Sequence, residues 1–143
     1  MNASTRVSEI MTSDIIVVKP DTIVSVIRDI FESKPIHHLP VVHHEHLVGM
    51  VSKTDFYKIS HCVGLFNNSA DNAYNEDIYS SLLAKEIMSA HTDTLGPDSS
   101  LSEAALMFHK NKYHALPIVA HGKLVGILST YDLIEHAYLK SIL

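Results

Sequence analysis

The chain has 143 residues, of which 46% are hydrophobic and 19% are charged, and this composition favours a folded, soluble protein over a disordered one. Its net charge of -5 disfavours direct binding to the phosphate backbone of DNA or RNA, and its longest apolar runs are far shorter than the roughly 20 residues that span a membrane. The N-terminus has no apolar segment of the secretory type and the single cysteine excludes an intrachain disulfide, so we expect a cytoplasmic protein.

The first half of the chain is predicted to form a strand, a helix, two further strands and a second helix, after a short leading helix over residues 4–11. The β-branched run that ends at Pro20 predicts the first strand and its end. A helix is predicted over residues 22–34, where apolar residues recur at helical spacing: Ile23, Ile27, Ile30 and Phe31. The stretches "HLPVV" and "LVGMVS" predict two strands joined by a tight turn, followed by a helix from residue 53 to about residue 61.

A polar segment follows, and residues 63–77 are predicted to link the two halves. The stretch "NNSADNAYNED" is rich in turn-forming residues, which indicates a loop. Apolar residues then recur at helical spacing and predict a helix that leads into the second half: Ile78, Leu82, Leu83 and Ile87.

The second half repeats the first at a fixed offset of 77 residues. Residues 7–58 align with residues 84–135 without a gap, and 17 of the 52 pairs are identical. In this copy Ser100 and Glu103 have the spacing of a capping box at the start of the helix, whose predicted buried stripe is Leu101, Ala104, Ala105 and Phe108. His121-Gly122 forms the predicted hairpin turn, and a last helix is predicted from residue 130 to about residue 140.

A gapless duplication of this length predicts two copies of one supersecondary unit. The expected fold class is α+β, with two β-α-β-β-α repeats related by pseudo-two-fold symmetry, one over residues 1–62 and the other over residues 78–143. One copy of about 60 residues is marginally stable by itself, so the duplication allows the copies to share buried surface.

Both copies end a strand with the pattern Ser-x-x-Asp, as Ser52 with Asp55 and as Ser129 with Asp132. One interpretation is helix capping, in which the serine is the N-cap and the aspartate bonds back to it, a contribution of about 1 kcal/mol. The other is ligand binding, because a helix N-terminus attracts anions and a carboxylate accepts hydrogen bonds from hydroxyl pairs. The spacing alone leaves both interpretations open.

Histidine is unusually frequent, with eleven in the chain and five of them within ten residues: His37, His38, His43, His44 and His46. Imidazole is a common metal ligand, but three of these histidines surround a hairpin turn and no cysteine or carboxylate cluster completes a site. We therefore predict solvated turn residues and no metal site. The sequence also lacks a Ser-His-Asp order, a phosphate-binding loop or paired catalytic carboxylates, so we do not predict an enzyme.

The combined motifs resemble a tandem pair of cystathionine-β-synthase (CBS) domains, the arrangement called a Bateman module. The resemblance rests on "EIMTSDIIVVKPD" and "EIMSAHTDTLGPD", on "HHLPVV" and "HALPIV", and above all on "GMVSKTD" and "GILSTYD". It covers nearly the whole chain, so we expect a stand-alone CBS pair with no catalytic domain.

The resemblance implies adenosine-containing ligands, namely AMP, ADP, ATP or S-adenosylmethionine, in two clefts between the repeats. Carried over residue by residue, one cleft has His114 near the ligand phosphate and consists of Thr12, Ile16, Val17, Ile36, His37, His114, Ser129, Tyr131 and Asp132. The other has His37 or His38 near its phosphate and consists of Ser52, Thr54, Asp55, Ser89, Asp93, Thr94, Tyr113 and His114.

The two predicted clefts differ chemically. Asp93 stands where the first copy has the apolar Ile16, and its carboxylate would repel phosphate or disturb the adenine slot, so the cleft with Asp132 is favoured. Phosphate-binding members often have arginine just before "LPV", where this chain has His38 and Ala115. The missing bidentate clamp favours AMP, ADP or a nucleoside-like ligand over ATP. AMP or ADP is also favoured over S-adenosylmethionine.

The leading hypothesis is therefore a regulatory module that senses an adenosine ligand and signals its occupancy to an unknown protein partner. The alternatives are a ligand-free structural or dimerisation module and, less favoured, a histidine-mediated metal sensor. A homodimer is predicted through exposed apolar helix faces, which the sequence places at Phe56 and Ile59 in the first copy and at Leu133, Ile134 and Ala137 in the second.

Overall fold

The computed structural model describes residues 4–66, 72–140 and 142. The helices are α1 (Val24–Ser33), α2 (Lys53–Phe66), α3 (Asn72–Ser81), α4 (Ala84–Ile87), α5 (Leu101–Asn111) and α6 (Thr130–Ile134), the last continued by a π-helical turn over Glu135–Leu139. The strands are β1 (His38–His43), β2 (His46–Ser52), β3 (Ala115–Ala120) and β4 (Lys123–Ser129), and Val7–Glu9 forms a 3-10 turn.

The chain divides into two compact units, each built from segments that are distant in sequence. The β1–β2 unit contains Ile16–His44 and Val48–His91. The β3–β4 unit contains Met1–Ile15, Glu45–Leu47 and Thr92–Leu143. The leading segment of the chain thus packs with the second copy's helix and hairpin, whereas α4 packs with those of the first copy.

The core of the β1–β2 unit is formed by α1, the hairpin and one face of α2. Ile27 and Phe31 are buried as their helical spacing predicts, but Ile23 is 40% exposed. Ile23 lies outside the helix, as its N-cap residue, so the predicted helical stripe is wrong at this position. The helix ends at Ser33, and its C-cap residue Lys34 has extended backbone, because a residue that precedes proline disfavours helical backbone.

The core of the β3–β4 unit has the same construction. Ser100 caps α5 by accepting a hydrogen bond from the Glu103 N–H at 3.1 Å, and Leu101, Ala104 and Phe108 are buried, whereas Ala105 is half-buried. His121 and Gly122 both have positive φ, at 52° and 79°, which confirms the predicted tight turn of type I′ between β3 and β4.

The strand predicted to end at Pro20 is wrong in its length. Only Val18 pairs, as a parallel bridge to Val41, with hydrogen bonds of 3.0 Å from the Val18 N–H to the Pro40 carbonyl and 2.8 Å from the Val42 N–H to the Val18 carbonyl. Ile16 and Val17 are exposed. The β-branched composition therefore predicted a strand where the segment forms a single bridge.

The predicted loop is also wrong over residues 72–77, which are helical in α3; residues 67–71 lie outside the described part of the chain. Tyr79 anchors α3, because its ring is buried and its hydroxyl donates to Ser60 Oγ at 2.6 Å. The helix predicted from Ile78 to Ile87 is interrupted, since Leu83 forms a bridge with Ile23 and its N–H donates to the Glu86 carboxylate at 2.8 Å.

Candidate functional site

The two Ser-x-x-Asp motifs lie where a strand passes directly into a helix. Ser129 ends β4 and Ser52 ends β2, and the first helical residue follows at once. In each unit the N–H of that first residue donates to a histidine carbonyl: Thr130 to His114 at 3.0 Å, and Lys53 to His37 at 2.8 Å. The fold therefore fixes His114 beside Ser129, and His37 beside Ser52.

Asp132 forms a closed capping box with Ser129. The Ser129 N–H and hydroxyl donate to Asp132 Oδ2 at 2.6 and 2.7 Å, and the Asp132 N–H lies 3.3 Å from Ser129 Oγ. The capping interpretation is therefore confirmed for this motif. Among the described residues no protein group bonds Asp132 Oδ1, so one carboxylate oxygen is fixed by its partner and still able to accept hydrogen bonds.

Asp55 is held less firmly. Its N–H donates to Ser52 Oγ at 3.0 Å, but its carboxylate faces Lys58 Nζ at 3.5 Å and is 45% exposed. An exposed ion pair of this kind contributes little to stability. The two motifs, which share the pattern Ser-x-x-Asp, thus differ in how many hydrogen bonds orient the carboxylate.

The glycine of each motif has a packing role. A Cβ atom built on Gly126 would come 3.0 Å from Met11 Cγ, and one built on Gly49 would come 2.8 Å from Met88 Cγ and 3.0 Å from the Ser89 carbonyl. In both copies the methionine of "EIM" thus occupies the space that a side chain at the glycine would need.

The same close approach positions two predicted ligand residues. Thr12 exchanges two backbone hydrogen bonds of 2.9 Å with Ile127 of β4, and Ser89 exchanges bonds of 2.9 and 3.0 Å with Met50 of β2. Both side chains are exposed. Thr12 is thereby held opposite Ile127, which is two residues before Ser129 in β4.

The units divide the predicted sites as follows. From the favoured set, the β3–β4 unit contains Thr12, His114, Ser129, Tyr131 and Asp132, and the β1–β2 unit contains Ile16, Val17, Ile36 and His37. From the second set, the β1–β2 unit contains Ser52, Thr54, Asp55 and Ser89, and the β3–β4 unit contains Asp93, Thr94, Tyr113 and His114. The assembly of either set into one site stays a prediction.

Asp93 has a partner that the sequence analysis missed. The Tyr113 hydroxyl donates to Asp93 Oδ2 at 2.7 Å, and this hydrogen bond raises the pKa of Tyr113 above its usual value. The equivalent positions in the first copy are Ile16 and Ile36, both apolar. The repeat alignment could have indicated this hydrogen bond. The second copy replaces Ile16 by an acceptor, Asp93, and Ile36 by a donor, Tyr113.

The histidines around the hairpin turns contact other protein groups, in one case across 76 residues of sequence. The His43 and His44 rings lie 4.1 Å apart, and His46 Nδ1 lies 2.7 Å from the Gly122 carbonyl. Within the described ranges, no three His, Cys, Asp or Glu side chains come together as a metal-binding group. Nor does any helix in those ranges have the length and apolarity needed to cross a membrane.

One predicted interaction face is wrong. Phe56 is only 3% exposed and belongs to the core of the β1–β2 unit, where its ring packs against Phe31 and Tyr79 with centroids 6.0 and 5.9 Å apart. In the β3–β4 unit, by contrast, Leu106 is 62% exposed and Ile134 is 53% exposed. The helices at equivalent positions in the two copies therefore present different surfaces.

Known proteins share this organisation. The family model of the CBS domain matches the chain twice, over residues 7–61 and 84–138. Inosine-5′-monophosphate dehydrogenase of Korarchaeum cryptofilum is 30% identical over 128 residues, which cover 89% of this chain and 23% of that enzyme. The chain thus spans about a quarter of the length of this relative.

Two solved structures extend the similarity to the fold. CBSX2 in complex with AMP has 26% sequence identity and a TM-score of 0.76, covering 95% of this chain and 98% of that one. The CBS domain pair of protein MJ0100, in complex with 5′-methylthioadenosine and S-adenosyl-L-methionine, has 24% identity and a TM-score of 0.74, covering 93% and 99%.

Proposed function

Because the chain belongs to the CBS-domain family and contains two copies of the domain, we propose that it is a regulatory module that binds an adenosine-containing ligand. CBSX2, 26% identical over nearly the same length, was solved with AMP, which supports an adenine nucleotide as the ligand. The module acts by binding rather than by catalysis, and it signals its occupancy to a protein partner.

The observation that carries this proposal is the Ser129–Asp132 box. Two hydrogen bonds to Oδ2 hold the carboxylate in one orientation, so that Oδ1 is ready to accept a ribose hydroxyl without a further ordering cost. His114 and Thr12 are fixed beside it through the backbone bonds to Thr130 and Ile127. This arrangement provides an acceptor for the ribose and an imidazole for a phosphate.

We further propose AMP or ADP as the preferred ligand, and the set with Asp132 as the tighter site. Ile16, Val17, Ile36 and His37 complete this set in the proposal. The chain has two arginines, Arg6 and Arg28, and both are paired with carboxylates away from the two motifs. A triphosphate therefore gains no arginine clamp from the predicted site residues.

A ligand titration tests the proposal. Binding to the folded state stabilises it by RT ln(1 + [L]/Kd), about 2.7 kcal/mol when the ligand is at 100 times Kd. We expect the unfolding temperature to rise with AMP and ADP, less with ATP and S-adenosylmethionine, and not with inosine monophosphate. Unchanged unfolding with all four adenosine compounds would exclude the proposal.

A ligand-free structural module is the second candidate, and the same box favours it. Ser129 and Asp132 satisfy each other without any ligand, so the motif is sufficient for capping alone. The titration separates the two candidates, because a purely structural module is not stabilised by any nucleotide.

We also propose a homodimer formed by the β3–β4 unit. Leu106 on α5 and Ile134 on α6 are exposed apolar side chains on helices that pack against each other. Two copies of such a face are buried most simply by an isologous two-fold contact.

A further inference from the structure

A cavity of about 510 Å³ lies among α1, α2 and α3 of the β1–β2 unit. Its volume is within the range of sites that hold small organic molecules. The lining combines aromatic rings with carboxylates, namely Phe56, Tyr57 and Tyr79 with Asp29, Glu32 and Glu76. None of these residues belongs to the proposed adenosine-binding sets.

The cavity already stabilises one organic cation, the side chain of Arg28. Its Cζ lies 5.6 Å from the centre of the Tyr79 ring, and its Nε and Nη2 donate to Asp29 Oδ1 at 3.2 and 3.1 Å. Its Nη1 pairs with Glu76, and this bond is the main reason why the pKa of Arg28 is raised. The guanidinium of Arg28 thus contacts an aromatic ring and two carboxylates.

The remaining charge of the lining is negative. Arg28 is its single cation, set against three carboxylates, and among the described residues Glu32 forms no ion pair. Tyr57 is 52% exposed and borders the same space, and the Lys53 ammonium lies 6.0 Å from the centre of its ring. The Tyr79 hydroxyl donates to Ser60 Oγ at 2.6 Å, and this bond joins α3 to α2 beside the cavity.

This chemistry is not a requirement of the repeat. At the offset of 77 residues, Arg28 and Asp29 correspond to Ala105 and Leu106, and Tyr57 corresponds to Ile134. The second copy therefore forms the helices that correspond to α1 and to the start of α2 without the arginine or these carboxylates. By contrast, α3, which contributes Glu76 and Tyr79, lies outside the repeated residues.

We propose that this cavity binds an organic cation, an ammonium or guanidinium group carried on a flexible alkyl chain. Glu32, the lining carboxylate that Arg28 does not engage, pairs with its N–H groups, and the exposed ring of Tyr57 packs against its alkyl chain or its charge. Anions are disfavoured because the guanidinium of Arg28 is already neutralised by Asp29 and Glu76. A free polyamine and the basic side chain of a protein partner share this chemistry.

Isothermal titration of the full chain with spermidine at low ionic strength tests the proposal, with uncharged 1,8-octanediol as the matched control ligand. We expect spermidine to bind and octanediol not to bind. Glu32→Gln and Tyr57→Ile, the latter introducing the residue of the second copy, should each raise Kd about threefold or more. Glu103→Gln, which removes an exposed carboxylate of the β3–β4 unit, should leave Kd unchanged.

A blocked Gly-Arg-Gly peptide distinguishes the two sources of the cation. Tighter binding of spermidine indicates a free polyamine, and tighter binding of the peptide indicates a partner side chain. Failure of both to bind, or equal weakening by Glu103→Gln, overturns the proposal. Circular dichroism verifies that each variant is folded, and titration with AMP keeps the result separate from the proposed adenosine site, which these substitutions do not touch.

Discussion

Ser129 gives Asp132 two hydrogen bonds to one carboxylate oxygen, whereas the matching pair Ser52 and Asp55 forms only the bond from the Asp55 N–H to Ser52 Oγ. The same four-residue pattern therefore produces one oriented carboxylate and one that remains exposed beside Lys58. Orientation before binding lowers the entropy cost of binding. From this asymmetry we propose Asp132 as the better ribose acceptor.

We expect Asp132→Ala to weaken AMP binding by about 1–3 kcal/mol, because a buried ribose hydroxyl loses its acceptor. Asp55→Ala should weaken the tighter binding event less. Calorimetric titration of both variants measures the difference. Ser129→Ala keeps the carboxylate and the backbone bond to Oδ2 but removes the hydroxyl bonds of the box, so it should weaken binding less than Asp132→Ala. An equal or reversed loss for the two aspartates would contradict the asymmetry.

Gly49→Ala should lower the free energy of unfolding by about 1–3 kcal/mol, because the new methyl group enters the space of Met88 and comes 3.0 Å from the Ser89 backbone carbonyl. Gly126→Ala should lower it less, because the atoms nearest to the new methyl group belong to the flexible Met11 side chain, which can shift. Gly96→Ala is the matched control, since a Cβ atom at Gly96 would have no neighbour within 4 Å. Urea denaturation of the three variants measures the effect. If all three behave alike, glycine is not retained for this packing.

Tyr113 should ionise at higher pH than the exposed tyrosines. Ionisation removes the hydrogen bond to Asp93 and places a second negative charge beside the carboxylate, so the pKa of Tyr113 is raised. The neutral tyrosine is the favoured form of the folded protein, and the contact is lost as pH rises through that pKa. NMR titration of the tyrosine ring signals should show Asp93→Ala, which removes the acceptor, lowering the pKa of Tyr113; an unchanged value would exclude the contact with Asp93 as the cause.

Ile134→Asp should convert the proposed homodimer into a 15.9 kDa monomer, because a charge in the centre of an apolar contact cannot be desolvated cheaply. Light scattering at micromolar concentration measures the mass. Tyr57→Asp at the equivalent position of the first copy should leave the mass unchanged, since the proposed contact uses the β3–β4 unit. A wild-type mass of one chain would rule out the dimer.

Much of the fold could be read from the duplicated sequence. The offset of 77 residues predicted two equivalent helix–hairpin–helix segments, because hydrophobic spacing and turn residues act locally. Ser100 as a cap and Gly122 in the hairpin turn were both confirmed for the same reason. The motifs also identified Ser129 and Asp132, whose mutual hydrogen bonds depend only on a spacing of three residues.

What required the tertiary structure was the environment of each side chain. Phe56 reads as an exposed helix residue and is buried, because Phe31 of α1 and Tyr79 of α3 pack against it, and α3 begins in a segment that composition assigns to a loop. Asp93 reads as an isolated charge and is bonded to Tyr113, twenty residues away. Sequence specifies local geometry and apolar periodicity, whereas burial and polar pairing depend on which distant segments pack together, and that is decided only when the chain folds.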